Sequence, residues 1–201
     1  LPAFLLAAAR AAAQQRGLGD GAYAITLSPS LVEPFLAHSS RRDLREILWR
    51  ARAARAGQDG PHDNRPVAAQ ILALRQEQAA LHGFANYADY EMADRMAANS
   101  AAVLDLLHRA WEPAKAHAET DRRDLTAMAL ALGEPTPIAA WDWRYLSQKV
   151  RAQRFALDEA TLKSYFSLDA MVAALFDCAQ RLFGLRFVEQ HGVTLHHPDA
   201  R

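Results

Sequence analysis

A chain of 201 residues, 51% of them hydrophobic, is long enough for one sizeable domain or two small ones and can bury a real core. Lys plus Arg and Asp plus Glu number 23 each, so the formal charge is zero, which argues against a nucleic-acid surface and against a polybasic membrane anchor. One cysteine, Cys178, cannot form an internal disulfide, and its apolar setting in "ALFDCAQRLFG" predicts a buried, inert thiol.

The opening "LPAFLLAAARAAAQQRG" lacks the basic region of a secretory signal and is interrupted by Arg10, so an alanine-rich helix is expected. "YAITLSPS" alternates Tyr23, Ile25 and Leu27 with Ala24 and Thr26, then meets a Ser-Pro helix start. That predicts a short strand near residues 22–27. In "SSRRDLREILWRARAARAG", Ser40 is the expected cap, Asp43 suits the first-turn dipole, Glu46 and Arg50 form an i, i+4 pair, and Gly57 offers a stop.

"HDNRPVAAQILALRQEQAALHGFANYADYEMADRMA" follows the same rules. Asp63 or Asn64 caps a helix with Pro66 in its first turn, and Gly83 ends it. Val67, Ile71, Leu74 and Leu81 recur at helical spacing, a stripe expected to pack against a core. Asn86 with Asp89 starts a second, shorter helix. "NSAAVLDLLHRAWEPAKAHAETDRRDLTAMALALG" predicts one helix of roughly 50 Å ending at Gly133, kinked or divided by Pro113. Asp105 with Arg109 and Glu119 with Arg123 are i, i+4 pairs of a solvated face.

After the loop "EPTPIAA", "WDWRYLSQKVRAQRFA" is helical, Asp158 and Ser167 cap two further helices, and Gly184 ends the last. "LRFVEQHGVTLHH" alternates at Leu185 and Phe187, turns near Gly192 and resumes with Val193 and Leu195. Strands are expected near 185–189 and 193–197. The class is mainly α with a small β element. Residues 1–155 form a helical scaffold and 156–201 a following segment, the two expected to pack as one unit. No stretch is long enough to span a bilayer. The first residue is Leu rather than Met and the last run is "HHPDAR", so a piece of a longer protein is expected.

Chemistry is hard to find in these residues. Two histidines one helical turn apart with a glutamate between them, H-E-x-x-H, would hold zinc and activate a water. None of the eight histidines (38, 62, 82, 108, 117, 191, 196 and 197) is followed by Glu. Phosphate loops, dinucleotide fingerprints and nucleophile elbows are equally absent from the sequence. His191, His196, His197 and Asp199 are the densest set of potential metal ligands. However, adjacent His196 and His197 would point to opposite faces of a strand, and a solvated strand end is the expected role. Trp141, Trp143 and Tyr145 read as a packing anchor at a helix start, and Tyr87 and Tyr90 as half-buried structural tyrosines. No catalytic, cofactor-binding or metal-binding residue is assigned.

Four collinear blocks carry a resemblance. "DNRPVAAQILALRQEQAALHGFANYADYEMADRMA" resembles a segment of the thimet oligopeptidase-like zinc peptidases, especially the bacterial peptidyl-dipeptidase branch. "ITLSPSLVEPFLAHSSRRDLREILWRA", "WDWRYLSQKVRAQRFALDEATLKSYFSLDAMV" and "RLFGLRFVEQHGVTLHHPDAR" resemble its flanking blocks in the same order, and "WDWRY" favours the peptidyl-dipeptidase branch. The resemblance implies a two-lobed, zincin-like, mostly helical parent with a deep channel. It also implies zinc held by H-E-x-x-H and a downstream Glu, and short peptides as substrates that lose C-terminal dipeptides. Residues 156–201 would then lead into a catalytic region beyond Arg201, and no cofactor would bind this chain itself.

The expected role is channel-wall scaffold, inactive alone, in a bacterial cytoplasmic parent. Expected partners are peptides of the parent and the missing catalytic region, without nucleic acid or membrane, and with self-association through exposed apolar surface. The alternative is a stand-alone helical protein-interaction module without catalysis.

Overall fold

The computed structural model describes residues 1–156, 162, 165–194 and 196–197. These divide into two compact units, Leu1–Phe155 and Ala156–Arg201. The first holds α1 (Ala3–Gln14), α2 (Pro29–His38), α3 (Arg42–Ala53), α4 (Arg65–Leu81), α5 (Tyr87–Met92), α6 (Ser100–Leu132) and α7 (Trp143–Phe155). The second holds α8 (Leu168–Phe183).

The core of the first unit has two parts. Leu5 and Ala12 of α1, Leu31, Val32, Phe35 and Leu36 of α2, and Leu48 of α3 make one cluster. Leu125 and Ala129 of α6 with Tyr145 and Leu146 of α7 make the other. α7 packs on both α2 and α6, which joins the two clusters. The remaining helices form a path on which α4 packs on α5 and α5 on α6. The alanine-rich start is helical as expected, with Leu5, Ala9, Ala12 and Ala13 buried.

Several helix boundaries fall where cap chemistry puts them. The Asn86 side chain accepts from the Asp89 amide at 2.9 Å and donates to the Asp89 carboxylate at 2.7 Å, a reciprocal cap on α5. Asn99 accepts from the Ala102 amide at the start of α6, and Ser167 from the Ala170 amide at the start of α8. Gly133 and Gly184 end α6 and α8 in the left-handed region, at φ 70° and 68°, where a Cβ would be strained. α6 runs undivided through Pro113.

Other expectations fail for identifiable reasons. Ser40 does not cap α3. The flanking residue is Arg41, which makes no side-chain cap, and Asp43 instead pairs with the Arg41 guanidinium. The expected strand at 22–27 is irregular backbone, its Ala24 amide donating to the Ala9 carbonyl of α1 at 3.0 Å. Ala24, Ile25 and Leu27 all pack on the helical core while Tyr23 is exposed, so the segment is held by side-chain burial and does not follow a strand's alternation. Residues 185–189 and 193–194 form no strand among the described residues either. There, Phe187 stacks on Phe176 of α8 at 4.3 Å, a side-chain contact that needs no sheet. Leu195 and the Asp158 cap lie outside the described residues.

The α4 stripe is the largest departure. Val67, Ile71, Leu74 and Leu81 are 51%, 44%, 55% and 87% exposed, and Ala79 is the helix's buried residue. α4 turns toward α5 the face that carries Ala79 and Gln76, whose amide donates to the Ala85 carbonyl at 3.2 Å. At 3.6 residues per turn, Ala79 lies roughly 120° around the helix from Val67, so the stripe faces away from that contact.

Candidate functional site

The strongest electrostatic feature lies where α3 meets the start of α7. Arg42 and Arg45 are one helical turn apart on α3, so both reach the same neighbour. Asp142 immediately precedes α7, and its side chain is 3% exposed. Arg42 donates to the carboxylate from Nε and Nη2, at 3.1 and 2.9 Å, and Arg45 donates from Nη2 at 3.0 Å. The Ala139 amide donates to Asp142 Oδ2 at 3.0 Å.

Arg45 is fully buried. Its Nη1 donates to the Ser39 carbonyl at 2.7 Å, Glu134 lies 3.5 Å from Nη2, and the guanidinium lies 4.1 Å from the Tyr145 ring centroid. That ring face supports a buried group whose Nε has no hydrogen-bond partner.

Burial by itself would raise the Asp142 pKa. The hydrogen bonds from Arg42, the Ala139 amide and Arg45 outweigh burial and hold the carboxyl below the usual carboxylate range. The same bond raises Arg42. Guanidinium groups donate only and cannot ligate a cation, so this node is a clamp between two helices rather than a metal site. Around it, Trp141 meets Trp49 edge-on with centroids 6.0 Å apart, and Arg50 lies 4.9 Å from the Trp141 ring. Glu33 of α2 adds links to Arg52 of α3 and Arg144 of α7, at 3.3 and 3.5 Å.

A second cluster sits at the α4–α5 corner. His82 stacks on Tyr90 at 4.8 Å, Phe84 meets Tyr90 edge-on at 5.6 Å, and Arg75 lies 4.9 Å from the Tyr87 ring. Tyr87 donates to Glu91, which raises the phenol's pKa and lowers that of the carboxylate. Asp89 accepts from the Ser100 hydroxyl at 2.7 Å and from its amide at 3.2 Å, tying α5 to α6. Those bonds and the one from Asn86 lower the Asp89 pKa.

The residues singled out in the sequence are thereby placed. Tyr145 is buried and Trp141 half-buried, as expected of a packing anchor, whereas Trp143 is exposed beside the groove between α6 and α7. Tyr87 and Tyr90 are half-buried. The pairs Glu46–Arg50, Asp105–Arg109 and Glu119–Arg123 form on the surface, at 2.8, 3.0 and 3.8 Å. Cys178 is exposed, contrary to expectation, because no residue of α8 is buried.

His191 and His196 are exposed, and Asp199 lies outside the described residues. His191 approaches Glu189 at 4.0 Å with both side chains more than 80% exposed. The described residues bring no three His, Cys, Asp or Glu side chains together for a metal. A zinc centre of the kind the resemblance implies therefore does not fit the donor set described here. Among the described residues no helix is long and apolar enough to cross a membrane. Reasoning from sequence missed Asp142 and its two arginines. The signal available was a lone Asp between two tryptophans at a helix start, facing an i, i+3 arginine pair.

Comparison with known proteins supplies what the geometry lacks. Residues 35–201 match the model of Peptidase family M3. The chain is 34% identical over 191 residues to dipeptidyl carboxypeptidase of Salmonella typhimurium, an alignment covering 94% of this chain and 28% of that protein. It is 35% identical over 205 residues to oligopeptidase A of Haemophilus influenzae, covering 100% of this chain and 30% of that protein. Probable cytosolic oligopeptidase A of Arabidopsis thaliana is 37% identical over 179 residues, covering 87% of this chain and 25% of that protein. The chain thus spans less than a third of the length of these curated relatives. Both kinds of bacterial relative match at nearly the same identity, so the comparison bears out the resemblance without dividing its branches. On the match over residues 35–201, the chain belongs to peptidase family M3.

Proposed function

We propose that this chain is a scaffold and channel-wall stretch of a zinc metallopeptidase that cleaves short peptides and releases C-terminal dipeptides, and that it is inactive alone. One observation carries this reading: residues 35–201 match the peptidase family collinearly, yet no histidine in the chain is followed by Glu. The family's water-activating chemistry needs two imidazoles one turn apart with a carboxylate between them. This chain supplies instead a rigid junction, Arg42 and Arg45 on Asp142, and a corner bridged by Asp89. Such elements hold helices at fixed angles, which is what a channel that admits only short peptides requires of its wall.

Dipeptide release is favoured by the "WDWRY" block and by the relatives named dipeptidyl carboxypeptidase. A bacterial cytoplasmic location is supported by bacterial relatives and by a plant relative named probable cytosolic. The test compares the 201-residue chain with its full parent reading frame on a short peptide, with products identified by mass spectrometry. The parent is expected to carry H-E-x-x-H outside this stretch and to release dipeptides in a chelator-sensitive way. The chain is expected to release none. Chelator-sensitive hydrolysis by the chain alone would overturn the reading, and tripeptide or longer products from the parent would remove the dipeptidase assignment.

A further inference from the structure

We infer that the forward half of α6 and the outer face of α4 are docking surfaces for the remaining polypeptide of the peptidase, which buries both. The inference rests on the scaffold reading above and names the surfaces through which the scaffold is held.

Leu104, Leu107 and Trp111 follow one another at i, i+3 and i+7 on α6, the spacing of a core-facing stripe, yet each is more than half exposed. Trp111 and Leu125 are separated by 14 positions, just under four turns, so they point within about 40° of each other. Leu125 and Ala129 are buried against Tyr145 and Leu146 of α7. The exposed stripe is therefore the forward continuation of a face that is already an interface, and α7 covers only its rear. α4 repeats the situation with Val67, Ile71, Leu74 and Leu81, turned away from the side that meets α5.

Two arguments select the occupant. The relatives are more than three times the length of this chain, so most of a family member's polypeptide lies outside these residues and is available as cover. The two stripes lie on helices that do not pack on each other; α5 lies in contact with each. A second copy docking symmetrically on one stripe would leave the other in water, whereas a larger partner can cover both.

The experiment co-expresses the tagged 201-residue chain with the rest of its own parent reading frame, from which this stretch has been deleted. Wild-type chain is expected to retain that polypeptide at one-to-one stoichiometry. Leu107→Asp with Trp111→Asp is expected to weaken retention about thirtyfold, as for loss of a buried aromatic anchor. The circular dichroism of the isolated chain should be unchanged, because both side chains are exposed there. The Surface control Arg109→Ala should retain wild-type binding. No retention by wild-type chain, equal retention by the Asp variant, or a discrete dimer through Trp111 that excludes the parent polypeptide would each overturn the inference. None of these readouts depends on hydrolysis or zinc, so the docking surfaces and the proposed activity fail separately.

Discussion

Arg45 and Asp142, 97 positions apart in sequence, share a buried hydrogen bond of 3.0 Å that joins α3 to the start of α7. Removing Asp142 would leave Arg45 buried without its main counter-charge and Arg42 without its chelate. Asp142→Ala is expected to cost about 3–5 kcal/mol, the usual penalty for orphaning one side of a buried pair. Urea unfolding checks this. A loss below about 1 kcal/mol would show that the node is not a principal clamp.

The same carboxylate gives a pH dependence with a definite sign. Its folded-state pKa is depressed, so its contribution is fully present above the unfolded value of about 3.9 and is lost as pH falls through the lower folded value. Thermal midpoints recorded from pH 7 to pH 2 should fall in that acid window. Asp142→Asn should flatten the fall, starting from a lower midpoint. Asp43 and Asp63 are also depressed, by Arg41 and Arg65, but solvent screening of these exposed pairs makes them minor contributors.

The reciprocal cap on α5 should be separable from the clamp. Asn86→Ala is expected to cost about 1 kcal/mol and to raise amide hydrogen exchange in Tyr87–Met92 before any change at Leu125 or Leu146. Uniform acceleration across the unit would contradict the idea of a locally held corner.

Exposed apolar side chains on α4 predict weak, concentration-dependent association of the isolated chain. Ile71→Glu with Leu74→Glu should lower the mass seen by light scattering at high concentration, with stability changed by no more than about 0.5 kcal/mol. A wild-type chain that stays monomeric throughout would count against this.

Local chemistry was readable before any coordinates. Asn86, Gly133, Ser167 and Gly184 act through neighbours one turn away, so their residue type and spacing carried the information. The Arg45–Asp142 bond was not readable. It depends on two helices meeting across 97 positions, and Arg45 sits in a charged run that reads as a solvated face. The β reading at 22–27 failed because short apolar alternation does not require a partner strand, and here Ala24, Ile25 and Leu27 are covered by helices while Tyr23 is exposed. The α4 stripe has the spacing of a packing face, yet its side chains are exposed, because helical period alone does not say whether a neighbour is present. The family was legible because several blocks agree in order, a signal that no single side chain carries.

The junction at Asp142 closes a long excursion of the chain that leaves after α3 and returns at α7. The segment at 93–98, between α5 and α6, lies on that excursion. A protease cut there would yield two pieces, one ending with α5 and one beginning with α6, still joined by α2 on α7 and by the arginines on Asp142. Those contacts predict that the two pieces stay together after the cut, which makes 93–98 a natural point at which to split the unit into a two-fragment reporter.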